Sequence, residues 1–455
     1  MAKKAEYVCS ECGRKVVGWA GRCPACGAWG TMREQEEAPL SRSGRPKNSE
    51  RAVRTQAQSL PSVPLSSSER FSTGMEELNR VLGGGLVRDS VTMLTARPGA
   101  GKSTLLLQMV GEIAKTGRCC LYVSGEESAG QIKARAERIL TALSEEVYLL
   151  STNSMDDAVQ EAQRLQPAVL IVDSVQTMRL EEFVQREGSP TQTVQVTTSL
   201  VELCKNPQQP MAAFLVGHMT KADEMAGLRT LEHLVDTVLY LDSGNDESLR
   251  VLRATKNRFG TTGEIGLFSM EAEGLQEITD PYGTFLTRRK TPVAGAAITL
   301  QREGTRLIPL EIEALVSANY GPYPTRIGDS LRRDTLNTLI SVLEERAGFR
   351  LSEKNVVLKA TGGLSISEKA ADLTICMAIA SAAQNLPVPK DTVFLGEVGL
   401  TGELKPVREL DRRLREMERL GFTCAYVPET GIIHKKKRLQ IRRCETLQDV
   451  IRQAL

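Results

Sequence analysis

The stretch TARPGAGKST at residues 95–104 constrains what this chain can fold into more than any other. It is a phosphate-binding loop of the form G-x-x-x-x-G-K-[ST], with Ala96 in place of the first glycine. Such a loop works only between a strand and a helix, because the strand end delivers the turn and the helix N-terminus offers its unpaired N–H groups to an anion. The flanking residues predict both elements. SVTMLTA (Ser90–Ala96) reads as a buried strand, RPGAGK as the turn, and STLLLQMVGEIAK as a helix burying Leu105, Leu106, Met109 and Ile113. Ala96, Arg97, Pro98, Gly99, Ala100, Gly101, Lys102, Ser103 and Thr104 then form a nucleotide cradle in which Lys102 reaches the β/γ oxygens and Ser103 ligates Mg2+. Ala96 sits at the strand end, where a methyl group costs about 1 kcal/mol only if the position demands positive φ.

From Phe71 onward, apolar strands alternate with amphipathic helices, the pattern of a parallel α/β sheet. AVLIVDS (Ala168–Ser174) reads as a buried strand ending in Asp173, which is positioned to hold Mg2+ through water. CCLYVSGEES ends another strand in Glu126 and Glu127, either of which can polarise an attacking water; a solvated helix start is the plainer reading of these acids. AAFLVGHMTKA (Ala212–Ala222) predicts one more strand, followed by His218, Thr220 and Lys221 as candidate sensors of a γ-phosphate.

Four of the ten cysteines, Cys9, Cys12, Cys23 and Cys26, form two C-x-x-C pairs. Two such knuckles facing each other make a tetrahedral S4 site for Zn2+, the metal that a segment with so small a core needs in order to fold. Trp19 and Trp29 lie in the same segment, where they either cover that core or contact a partner. Residues 33–65 are rich in Ser, Pro and charge and read as a flexible linker between a zinc finger over 1–32 and the α/β region.

The 455 residues are 41% hydrophobic, enough for two or three separate cores. A formal charge of +2 means that any nucleic-acid contact must come from local basic patches. No stretch has eighteen uninterrupted apolar residues, and MAKKAEYVCS has no apolar signal core, so we expect a cytoplasmic protein that does not enter membranes.

KNRFG at Lys256–Gly260, together with the C4 cysteine pattern, SGEES, GHMTKA and LEHLVDTVLYL, resembles the RadA/Sms family of bacterial recombination and repair ATPases. Lys256 and Arg258 are two apart on an extended segment, so both side chains can point across a subunit boundary to a neighbour's ATP, as arginine fingers do in ring ATPases. The family's loop normally opens with Gly, so Ala96 is a departure. The resemblance implies a RecA-like ATPase over 66–285 and a homo-oligomer, expected to be a hexameric ring. It also implies movement on single-stranded DNA, and branch migration and processing of branched recombination intermediates alongside RecA recombinase.

Residues 286–455 look like the proteolytic domain of Lon, carried by TGGLSISEKAADLTICMAIASA and FLGEVGLTGELKPVRELDRRLREMERLGF. Aligned on Gly396-Glu397, Ala370 stands at the serine nucleophile's position and Arg413 at the lysine base's. Alanine has no nucleophile, and an arginine with a pKa of roughly 12.5 or higher stays protonated, so we expect a non-proteolytic Lon-like α+β domain. Ser365 and Ser367 lie nearby as possible substitutes. The resemblance gives this domain the roles of assembling rings and meeting DNA. HKKKRLQIRR (His434–Arg443) fits the second role, with a solvated loop as the plainer alternative.

Overall fold

The computed structural model describes residues 69–455 apart from 219–227, 244–247, 288, 390, 432–433 and 435–437. Before residue 69 it describes 6–9, 15–17, 21, 22, 24, 26, 29, 32–34, 59 and 61. The chain divides into two units, Met1–Val63 and Pro64–Leu455.

In the first unit, strand Glu6–Cys9 pairs antiparallel with Lys15–Val17 on one side and Met32–Glu34 on the other. Cys9 closes the central strand and Cys26 is exposed; Cys12 and Cys23 lie outside the described residues, as does Trp19. Trp29 corrects the expectation that it covers a core, because it is 76% exposed. Its ring instead faces the Arg22 guanidinium at 5.9 Å, a cation–π contact that tolerates water.

A nine-stranded sheet organises the first half of the second unit. Its parallel block runs Thr237–Ser243, Val91–Ala96, Ala212–His218, Val169–Asp173, Cys120–Ser124 and Val147–Ser151. VTMLTA, CLYVS and VLIVD are buried along their whole length, as strands covered on both faces must be. Helices Lys102–Ala114 and Ala129–Ile139 pack on one face, Met155–Leu165 and Pro190–Cys204 on the other. Three serines start helices here: Ser128, Ser154 and Ser189 each accept the N–H three residues on. Beyond the Thr237 strand the sheet turns antiparallel through Leu249–Asn257, Ile265–Glu271 and Gly274–Glu277, whose connections are too short for helical crossovers.

The last third forms a mixed seven-stranded sheet with strands Ala296–Glu303 and Arg306–Ala318 at its centre. Helices Arg333–Ala347, Asp372–Gln384 and Leu447–Ala454 share a core on one side of it, and Leu410–Arg419 packs in a second core.

The antiparallel extension joins the two sheets. Leu249, Val251, Ile265 and Leu267 pack in one apolar cluster with Ile308, Leu310 and Leu364. Arg253 Nη1 meets the buried Glu303 at 2.7 Å. Glu77, only 3% exposed, accepts the Leu267 N–H at 2.9 Å and the Arg306 guanidinium at 2.6 Å. Removing that carboxylate leaves a buried amide and a largely buried cation without their acceptor. Glu77→Ala is expected to destabilise the protein by about 3 kcal/mol, read as a lower urea midpoint for the second unit.

Candidate nucleotide site

The strand Val91–Ala96 carries the phosphate loop to the C-terminal edge of the parallel block, and the helix begins at Lys102. Ala96 is fully buried and ladder-paired on both sides, opposite His218 and Leu241. The described non-glycine residues with positive φ are Gln166, Asn385, Asp391 and Glu409, so the Ala96 methyl sits in ordinary strand geometry. The left-handed turns fall on Gly99 (φ +77°) and Gly101 (φ +104°), where the loop needs them. A Cβ on Gly101 would lie 2.5 Å from the Met270 Cε of the antiparallel extension. Arg97, Pro98 and Gly99 are exposed, Ala100 is buried, and Ser103 and Thr104 are partly covered.

Lys102 is 6% exposed, and its Nζ lies 3.4 Å from the Ala96 carbonyl. Burial pulls its pKa down, while the Asp173 and Glu126 carboxylates pull it back up. Asp173 ends its strand as expected and accepts the Tyr122 phenol at 2.6 Å. Burial, reinforced by Asp173, drives the Tyr122 pKa well above its ordinary value, so the phenol stays a donor. The phenol thus holds the Asp173 carboxylate in place, and the Ser103 hydroxyl stands in the first turn of the helix after the loop; both are hard oxygen donors of the kind Mg2+ takes.

The two glutamates part ways. Glu126 Oε1 accepts the Ser174 hydroxyl at 2.6 Å and lies 3.1 Å from His218 Nε2. That histidine approach is off the hydrogen-bond direction, so His218 Nε2 is left without a bonded partner and Ser174 supplies the bond that orients Glu126. Glu127 is instead paired with Arg135 on the following helix. Thr220 and Lys221 lie outside the described residues.

KNRFG lies at the other edge of the sheet. Asn257 pairs with Thr237, which pairs with Thr92, four residues and roughly 13 Å from Ala96 at strand rise. A bulge at Val238/Leu239 and the end of the strand at Asn257 break simple alternation, yet both cations reach the same region. Lys256 Nζ donates to the Glu232 and Val235 carbonyls at 2.6 and 2.8 Å. Arg258 Nη1 lies 3.1 Å from Asp236 Oδ1, which also takes Lys205 Nζ at 2.9 Å. Burial and the neighbouring Arg258 lower the Lys256 pKa.

In the last third, Arg413 is fully buried and bound to Glu368 and to the Leu300 carbonyl, with its Nε 3.0 Å from Arg408 O. Ala370 is 6% exposed, and Ser367 Oγ donates to Glu303 at 3.1 Å. No nucleophile–base pair arises from these groups. In the basic run, Arg442 donates to the Tyr426 phenol at 2.7 Å and stacks on its ring, and His434 faces Asp411 at 3.2 Å. Residues 435–437 lie outside the described residues.

Comparison with known proteins matches the AAA domain family to residues 56–224. The rubredoxin metal binding domain family matches residues 7–34, and the family of subunit ChlI of Mg-chelatase matches 333–431. The DNA repair protein RadA of Mycobacterium tuberculosis (strain ATCC 25618 / H37Rv) is 42% identical over 93% of this chain and 88% of its own. The chain belongs to the RadA family. The RadA of Bacillus subtilis (strain 168) is 39% identical over 95% of this chain and 94% of its own, and that of Streptococcus pyogenes serotype M1 is 40% identical over 94% of each. The fold class expected from sequence therefore holds for this chain: an N-terminal zinc-ribbon type segment, a P-loop ATPase domain on a mostly parallel sheet and a Lon-like α+β domain. Sequence reasoning missed Tyr122, Ser174, Arg135 and Asp236, whose roles depend on strand neighbours that no local pattern announces. Because Ala96 is unstrained, Ala96→Gly is expected to change nucleotide affinity by less than about threefold, measured by titration with a fluorescent ATP analogue.

Proposed function

We propose that this protein is a DNA-dependent ATPase that moves on single-stranded DNA, promotes branch migration and processes recombination intermediates in DNA repair alongside RecA recombinase. The observation that carries the hydrolytic part is the Glu126 carboxylate, held by Ser174 on the strand-end side where Lys102 and Asp173 gather, while Glu127 is tied to Arg135. Membership in a family whose curated members are named DNA repair proteins supports the DNA part. We assign residues 1–32 to a C4 zinc finger on Cys9, Cys12, Cys23 and Cys26, 33–65 to a linker, 66–285 to the ATPase and 286–455 to the non-proteolytic Lon-like domain, in a cytoplasmic protein.

In this reading the loop amides and Lys102 hold the β/γ-phosphates, and Ser103 and Asp173 hold Mg2+. The bound ion would neutralise phosphate charge. Glu126 takes the proton of the attacking water, its free oxygen aimed by the hydrogen bond from Ser174 to the other. Glu126→Gln is expected to slow hydrolysis at least about a hundredfold with ATP binding retained, whereas Glu127→Gln costs less than about tenfold. Equal losses in steady-state assays would reject Glu126 as the base.

Lys256 and Arg258 lie at the sheet edge opposite their own loop, which supports a role at a neighbour's nucleotide in a hexameric ring. Neither Arg258→Ala nor Lys102→Ala rings contain an interface with an intact loop and an intact finger; mixed rings do. Mixing the two inactive variants under subunit exchange is expected to restore part of the DNA-stimulated ATPase. A mixture as inactive as its parents would show that the finger does not act in trans.

A further inference from the structure

The phosphate loop has a support that the parallel core does not provide. Arg250, 8% exposed, is the second residue of the strand Leu249–Asn257, and its Nε donates to the Ala100 carbonyl at 2.9 Å across 150 positions of sequence. Its Nη1 donates to the Leu249 carbonyl at 2.9 Å, which holds the guanidinium against its own strand. Met270 and Leu275, from the next two strands of the same extension, stand where a Gly101 side chain would be. The antiparallel extension therefore backs the loop along Ala100 and Gly101.

We propose that Arg250 is a positioning residue for ATP binding: by holding the Ala100 carbonyl behind the loop, it aims the Gly101 N–H into the phosphate cradle. The Ala100–Gly101 peptide is trans, so the carbonyl of Ala100 and the N–H of Gly101 point in opposite directions. A guanidinium on one side of that plane therefore sets where the donor on the other side points. A charged donor also makes a bond about twice as strong as a neutral one, and it polarises the peptide so that the Gly101 N–H becomes a better donor. Without this bond the peptide can pivot about the Ala100 ψ and the Gly101 φ, and Gly101 (φ +104°) has no Cβ to resist the motion. The loop would then have to order its amides at the moment of binding.

This inference rests on the reading of residues 95–104 as the ATP site. An amide aimed at phosphate oxygens acts on bound ATP and on the transition state alike, so its loss shows in KM more than in kcat. Steady-state ATPase kinetics on the full-length protein test it. Arg250→Ala is expected to raise the KM for ATP about tenfold while kcat falls less than about threefold, and Arg250→Lys, which keeps a charged donor, is expected to recover most of the KM. An arginine that only stabilises the fold predicts the reverse, a loss of kcat in step with the lost folded fraction and an unchanged KM. If Arg250→Ala does not yield folded protein, Arg250→Met, which keeps an unbranched apolar stem but no donor, carries the same test: a raised KM supports the proposal and an unchanged KM overturns it. Lys102→Ala separates the two levels. If it abolishes turnover while the Arg250 variants keep the wild-type KM, the loop is the ATP site and the Arg250 role is wrong; if it leaves turnover intact, the site itself is misassigned.

Discussion

A lysine ammonium buried at the edge of a parallel sheet is the constraint around which this ATPase domain is arranged. Lys102 has little access to water, and a cation so placed is tolerable only with opposite charge close by. Asp173 and Glu126 supply it, and each has to be held in turn. Tyr122 holds Asp173 and Ser174 holds Glu126, so side chains from three strand ends converge where the loop turns. One cation against two carboxylates leaves a net negative charge, which a Mg2+ ion accompanying the nucleotide would offset. Binding and chemistry draw on the same few groups for that reason.

The strand Leu249–Asn257 connects regions that the parallel core leaves apart. Near its start Arg250 touches the loop, in its middle Arg253 meets Glu303 of the last third, and at its end Lys256 and Asn257 enter KNRFG. Its outer neighbour, the strand Ile265–Glu271, is tied to the short helix Glu76–Leu82 through Glu77, which also holds Arg306. A rigid ladder carrying contacts to the nucleotide loop, to the Lon-like domain and to the KNRFG corner gives the two domains a common mechanical element.

Much of this was legible in the sequence. The loop, Asp173 at a strand end and the alternation of strands and helices follow from local patterns whose physics is local: glycine turns and apolar periodicity. Ala96 was legible as unstrained because a strand end precedes the turn. Which glutamate faces the site was not, since Glu126 and Glu127 are adjacent and differ only through Ser174 and Arg135, partners from another strand and another helix. Nor could Trp29 be read, because a tryptophan over an arginine and one over a core have the same sequence signature. Arg250 lay two residues into a strand with an ordinary pattern, and only the sheet order brings it to Ala100.

Arg413 has a consequence for how this architecture can change. Its guanidinium has been absorbed into the fold: it is fully buried, shares Glu368, and bonds to backbone carbonyls on both sides. A serine placed at Ala370 alone would therefore gain no base from Arg413, whose guanidinium stays protonated. Replacing the arginine first would take its guanidinium partner from the partly buried Glu368, leaving it the Arg302 N–H. Gaining peptide hydrolysis here would need at least two coupled changes, and removal of the arginine costs stability by leaving a carboxylate without its cation.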